Sequence, residues 1–173
     1  MRDDSRSSSL VYQQSVNTDQ AYNSWGGKSL YGDNSTSGTP AVKVSFNRPN
    51  VDGWGTGTFL SYEQDMVGFL ENEGYDVSYT TDVDTHERGN LLRQHKGFLS
   101  VGHNEYWSLE MRQNVTAARD AGVGLGFFSA NSMYWQIRYE ASPITGAADR
   151  TIVGYKETAI RTTQTPRIPL LTR

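Results

Sequence analysis

Cysteine is absent from this 173-residue chain. That excludes disulfides, thiolate metal ligands and cysteine nucleophiles, and leaves the redox compartment undetermined. No apolar run approaches the roughly 20 residues of a membrane-spanning helix, and the N-terminal MRDDSRSSS lacks the apolar stretch of a signal peptide. Lysine and arginine do not cluster. The formal charge of −3 comes from acidic and basic residues interleaved along the chain, so no basic stripe exists to follow a phosphate backbone. The expectation is a water-soluble chain with neither nucleic acid nor a membrane as partner, its compartment unassigned. With 36% apolar residues, the length suits one domain with a sizeable core rather than a tandem of two.

What is present centres on Gly97 to Trp107, GFLSVGHNEYW. Phe98, Leu99 and Val101 form a short apolar, β-favouring run that Gly102 breaks just before His103, Asn104 and Glu105. A buried strand therefore delivers an imidazole and a carboxylate to its C-terminal edge, which is where ligands bind in open α/β sheets.

Around this strand the chain alternates. Residues 1–9, charged and Ser-rich, read as a linker. A strand is expected from Leu10 to about Val16, and AYNSWGGKSLYG reads as an ordered aromatic loop. Ala41 to Phe46 alternates with period two and predicts a strand. Phe59 to Glu73 has helical spacing and a Gly74 stop. Tyr75 to Thr80 predicts a strand, followed by Asp82 or Asp84 as a helix cap. Ser108 is the expected N-cap of a helix ending at Gly122. Val123 to Phe128 predicts a further strand that delivers Ser129 to Ser132 to its end, and Thr151 to Tyr155 a last one. Strands alternating with helices of this length predict a mostly parallel sheet flanked by helices. Right-handed crossovers put the post-strand loops on one edge.

The candidate residues each have a plainer explanation. Glu105 suits a solvated carboxylate near a helix N-terminus, although His103 two residues away and the aromatic Tyr106 and Trp107 favour a site. An Asx-turn explains Asn131 as well as a functional role does. His86 and His95 lie in polar surroundings and read as solvated. Burial is the default for Trp25, Trp54, Trp107 and Trp135. Asn34-Ser-Thr and Asn114-Val-Thr match the glycosylation sequon, a weak signal.

The strings AYNSWGGKSLYG, EGYDVSYTTDVD, LLRQHKGFLSVGHNEYW, EMRQNVTAARDAGVGLGFFSANSMYWQIRYE and RTIVGYKE, in this order, resemble the C-terminal domain of the N,N-dimethylformamidase large (β) subunit and its bacterial relatives. The resemblance covers roughly residues 10–157, and the tail at 158–173 falls outside it. It implies a fold similar to class I glutamine amidotransferases, without their Cys-His chemistry because no cysteine is present.

It also implies a mononuclear iron site used to hydrolyse a small amide. By motif, Glu105 is the carboxylate ligand and Tyr22 the best candidate for a phenolate ligand, while His103 and Asn131 are active-site neighbours. Anionic oxygen donors suit a hard ferric ion. Two such ligand oxygens are expected roughly 3 to 4.5 Å apart. In the family an upstream domain supplies a second tyrosine, and a further active-site glutamate lies well downstream. The chain therefore reads as a fragment of a larger protein, inactive alone, with apolar surface left uncovered around residues 10–16. A small subunit or further copies of the chain are the other implied partners. The competing class is a non-catalytic module that keeps the fold for ligand or carbohydrate binding or for assembly.

Overall fold

The computed structural model describes residues 6–156. Four strands, β1 (Leu10–Gln14), β3 (Val77–Thr81), β4 (Gly97–His103) and β6 (Gly124–Ala130), form an all-parallel sheet in the order β3-β1-β4-β6. The predicted mostly parallel α/β sheet is therefore present, and the organising strand β4 lies inside it, pairing with β1 on one side and β6 on the other.

Residues 10–14 are likewise interior, with Val11 and Tyr12 each 1% exposed. The expectation of uncovered apolar surface there is not met, because β3 and β4 flank β1 and helices cover both faces. Alternation along the strands sends Val11 and Phe98 to one face and Tyr12 and Val101 to the other. The first face packs on Trp107 and, through Met111, Val115 and Ala118, on α5 (Leu109–Asp120). The second packs on α3 (Gln64–Asn72) through Leu70, with Met66 and Val67. Ser108 caps α5 as expected, its hydroxyl accepting from the Met111 N–H at 3.1 Å.

Several boundaries move for reasons that lie outside the local sequence. The first strand stops at Gln14 because α1 (Val16–Tyr22) begins there. Its N-terminal turn is held by Asp82, whose carboxylate accepts the Asn17 N–H and the Gln13 side-chain amide, each at 2.8 Å. Asp82 therefore caps a helix 65 residues away from it. Its own helix, α4 (Asp82–Arg88), is capped by Thr81 in a reciprocal pair with Asp84. The helix expected over Phe59 to Glu73 is broken at Glu63, giving α2 (Phe59–Tyr62) and α3. At the break the Glu63 side chain turns inward and accepts from the Tyr12 hydroxyl at 3.1 Å.

A second sheet was not anticipated. Its strands β2 (Lys43–Ser45), β5 (Tyr106–Ser108), β7 (Trp135–Glu140) and β8 (Thr151–Val153) run in the order β2-β8-β7-β5. β8 is antiparallel to β2 and β7, whereas β5 and β7 are parallel. The strands expected within Ala41 to Phe46 and Thr151 to Tyr155 are present as β2 and β8, whereas their pairing with β7 and the three-residue β5 into one sheet depends on contacts between distant segments. Their core is Ala21, Leu30, Val44, Tyr106, Ile137 and Ile152. It fastens the end of α1 and the aromatic loop after it to the segment that follows β4.

Candidate functional site

Counted along the chain, the parallel strands lie in the order 2-1-3-4, and the winding reverses between β1 and β4. The crevice outside the carboxyl ends of those two strands is the favoured ligand position of such a sheet. From β1 the chain runs directly into α1, whose last residue is Tyr22. From β4 it turns at Gly102, where φ is +80°. A side chain there would strain the backbone and press on Glu63 and Tyr62.

The turn is bolted at every residue beyond it. Asn104, fully buried, donates to Ser100 Oγ at 2.9 Å and accepts from the Trp107 indole at 2.8 Å. Glu105 is 5% exposed. Its N–H donates to Thr18 Oγ1 at 3.0 Å and its carbonyl accepts from the Trp135 N–H at 2.9 Å.

On this frame the Tyr22 hydroxyl donates to Glu105 Oε2 at 3.1 Å, inside the expected span. Tyr31, from the same aromatic loop, donates to Oε1 at 3.1 Å and Oε2 at 2.9 Å. The two rings stack with centroids 4.1 Å apart. His103 Nε2 lies 3.3 Å from Glu105 Oε2 and 3.2 Å from the Asn131 side-chain nitrogen. Asn131 holds that position in a left-handed conformation, φ +51°, which asparagine tolerates better than most residues. All four residues singled out by sequence, Tyr22, His103, Glu105 and Asn131, thus come together.

On the far side, sequence reasoning named Tyr106 as an aromatic beside Glu105 but gave no role to Tyr31 or Lys156. Tyr106 donates to the Tyr31 hydroxyl at 2.6 Å, and Lys156 Nζ donates to the Tyr106 hydroxyl at 2.7 Å while lying 3.0 Å from the centre of the Tyr31 ring. Tyr31 was visible only as one more aromatic of AYNSWGGKSLYG, and Lys156 carried no signal.

Burial raises the phenol pKa of Tyr22, Tyr31 and Tyr106 above the usual tyrosine range, and the Glu105 charge adds to the rise. The three hydroxyls are therefore donors to one another and to the carboxylate. Beside them a cleft of about 330 Å³ is lined by Tyr22, His103, Asn34, Thr58 and Tyr62, with Asp19 in its wall.

The other sequence candidates are placed elsewhere. His95 is buried, its Nδ1 against the Ser8 carbonyl at 2.9 Å, and His86 Nδ1 meets Ser108 Oγ at 2.8 Å; neither is a solvated surface histidine. Trp107 is buried, but Trp25 and Trp54 are exposed. The side-chain nitrogens of Asn34 and Asn114 donate to the carbonyls of Tyr22 and Thr85, each at 2.8 Å.

The profile of the family described as N,N-dimethylformamidase β-subunit-like, C-terminal, matches residues 1–169. The chain belongs to this family. No curated protein matches it. Among the described residues of this dimethylformamidase-like domain, no group of three or more His, Asp or Glu side chains is placed to hold a metal. A metal in the cleft would therefore depend on tyrosine. The donor chemistry suits a ferric ion, since two phenols and a carboxylate, all hard oxygen donors, meet at hydrogen-bond distance. No helix among the described residues is long and apolar enough to cross a membrane.

Proposed function

We propose that this domain serves the hydrolysis of a small amide, with Tyr22, Tyr31 and Glu105 holding a mononuclear ferric ion and His103 and Asn131 facing the substrate. The observation that carries this reading is the convergence of two phenol hydroxyls and an imidazole on one buried carboxylate. A ferric ion held there by Tyr22, Tyr31 and Glu105 would supply Lewis acidity toward an amide carbonyl and water.

The chain's own residues do the rest. Thr18 and Trp135 fix the backbone of Glu105, so its carboxylate is aimed before any ligand arrives. Tyr106 holds the Tyr31 hydroxyl and is itself held by Lys156. His103 Nε2, between Glu105 and Asn131, is the atom placed to take up a proton and pass it on, the ordinary task of an imidazole near neutral pH. A cleft of about 330 Å³ lies at the small end of ligand sites and favours a small substrate. The strand order supports layering of the class I glutamine amidotransferase kind. An upstream domain of the same polypeptide and a small subunit or further copies complete the proposal.

The test is amine release from small formamides by the iron-loaded domain together with its upstream domain, since the domain alone is expected to be inactive. We expect turnover in wild type and a loss of roughly 100-fold or more in His103→Ala, in line with the usual size of acid–base catalysis. Equal turnover in both would contradict the role of His103, and none in either would remove the amidase reading.

Binding without catalysis is the second reading. It is favoured by Trp54, 98% exposed, on the loop whose Asp52 and Gly57 reach the cleft. An exposed indole is a common platform for a ligand ring.

A further inference from the structure

A larger chamber, about 610 Å³, opens at the carboxyl ends of β1 and β3 and shares Asp19 with the cleft described above. Neither the sequence motifs nor the proposed chemistry use it. Its walls carry the rings of Tyr12, Phe59 and Tyr79 and the carboxylates of Asp19 and Glu71, and among the described residues no lysine, arginine or histidine lines it. A further ring, Phe46, already meets the Arg150 guanidinium, 5.7 Å from its centre. The chamber thus offers aromatic faces and negative charge, without a positive group of its own among the described residues.

Asp19 shows the imbalance most clearly. It is 7% exposed, and both hydrogen bonds from Thr58, through its N–H and its hydroxyl, go to one oxygen, Oδ1, at 2.8 Å. Burial pushes the carboxyl up, Thr58 holds it down, and the nearby Asp52 pushes it up again. No basic side chain among the described residues enters that balance. Glu71 at the rim accepts from the Tyr79 hydroxyl at 2.6 Å, which turns a ring and a carboxylate toward one opening. Tyr12 and Tyr79 stand 5.8 Å apart at 56°, two walls of one corner.

From these observations we infer that the chamber between β1, β3 and α2 is a binding site for an organic cation, an alkylated or quaternary ammonium group held by the Asp19 carboxylate against the rings of Tyr12, Phe59 and Tyr79. The rings attract a cation through their negative faces and exclude water from it. The carboxylates set the sign of charge, and the apolar surface selects substituted ammonium over a bare metal ion or ammonia. The assignment holds whether or not the neighbouring cleft takes iron.

Choline is a suitable probe, set against its uncharged analogue in which carbon replaces the quaternary nitrogen. Each is titrated into isotope-labelled full chain while the backbone amide signals of Gln14, Thr80, Thr81 and His103 are followed by NMR. We expect choline to bind at least about tenfold more tightly than the analogue, with shifts at Gln14, Thr80 and Thr81. Asp19→Asn should weaken choline binding about tenfold or more and leave the analogue unaffected. Because Asp19 also braces Thr58, Phe59→Leu provides a second reading that keeps apolar volume and removes one ring. It too should weaken choline more than the analogue. Equal binding of the two compounds, shifts confined to His103, or no saturable shift for choline would each overturn the assignment.

Discussion

Tyr31 donates its hydroxyl to both oxygens of Glu105, at 3.1 and 2.9 Å, while Tyr106 donates to Tyr31 from behind. Tyr31 is therefore held as firmly as Tyr22, the tyrosine that the motif points to. On the proposed reading, Tyr22→Phe and Tyr31→Phe should each weaken ferric binding by about tenfold or more, the scale of losing a ligand or its direct support. If Tyr31→Phe binds iron as wild type does, Tyr31 belongs to the wall and not to the donor set.

Proton release gives that binding a direction with pH. Burial raises the phenols of Tyr22 and Tyr31, so each holds its proton at neutral pH, and a cation that takes the oxygen must displace it. Ferric affinity, measured against a chelator of known pH behaviour, should rise as pH rises. A flat profile would mean that the phenol oxygens are not ligands.

Glu63 ties stability to pH. It is fully buried, and burial first, then the Asp19 charge, push its carboxyl from 4.5 to about 8 against hydrogen bonds from Tyr12 and the Ser15 backbone. The folded value lies above the unfolded one, so between these values the folded chain holds a proton that the unfolded chain has released. Stability therefore falls as pH rises through the window and is lowest above it. Glu63→Gln mimics the protonated acid and should flatten the fall, with a gain on the order of a few kcal/mol above the window. Asp19 and Asp82, also raised by burial, keep a residual slope in the variant. Denaturant midpoints taken across the window check this, and identical pH profiles for wild type and variant would contradict it.

How far the sequence could be read depended on where each cause lay. Phe98 to Val101 and Met111 to Ala118 carry strand and helix periods that their own burial explains, so β4, α5 and the sheet around them were legible. The loop after β4 was legible too, since Gly102 and the His103-x-Glu105 pair sit together in the chain. Helix α1 was not, because its N-terminus is stabilised by Asp82, 65 residues on. Nor was the break at Glu63, whose partner Tyr12 lies on a strand 51 residues earlier. Tyr31 and Lys156 reach the site only through the second sheet, whose strands β2 and β8 were expected but whose pairing across distant segments was not legible.

Asp82 can be tested as the hidden cap. It is wholly buried and accepts from both Gln13 and Asn17. Asp82→Ala leaves those two donors unsatisfied, at about 1–3 kcal/mol each. It should also loosen α1 and move Tyr22, whereas Trp54→Ala at an exposed site should stay within about 0.5 kcal/mol of wild type. Unfolding curves for both, with the Tyr22 ring followed by NMR, decide it. A near-neutral Asp82→Ala would show that α1 stands without its cap.

The most direct test of the central claim is ferric titration of wild type and Glu105→Gln, followed through the phenolate-to-iron charge-transfer absorbance. A neutral amide is a poorer donor to a hard cation than a carboxylate. The account predicts a saturable visible band in wild type and its loss in Glu105→Gln, with both proteins equally folded. A band of equal intensity and affinity in the two, or none in wild type, would contradict it.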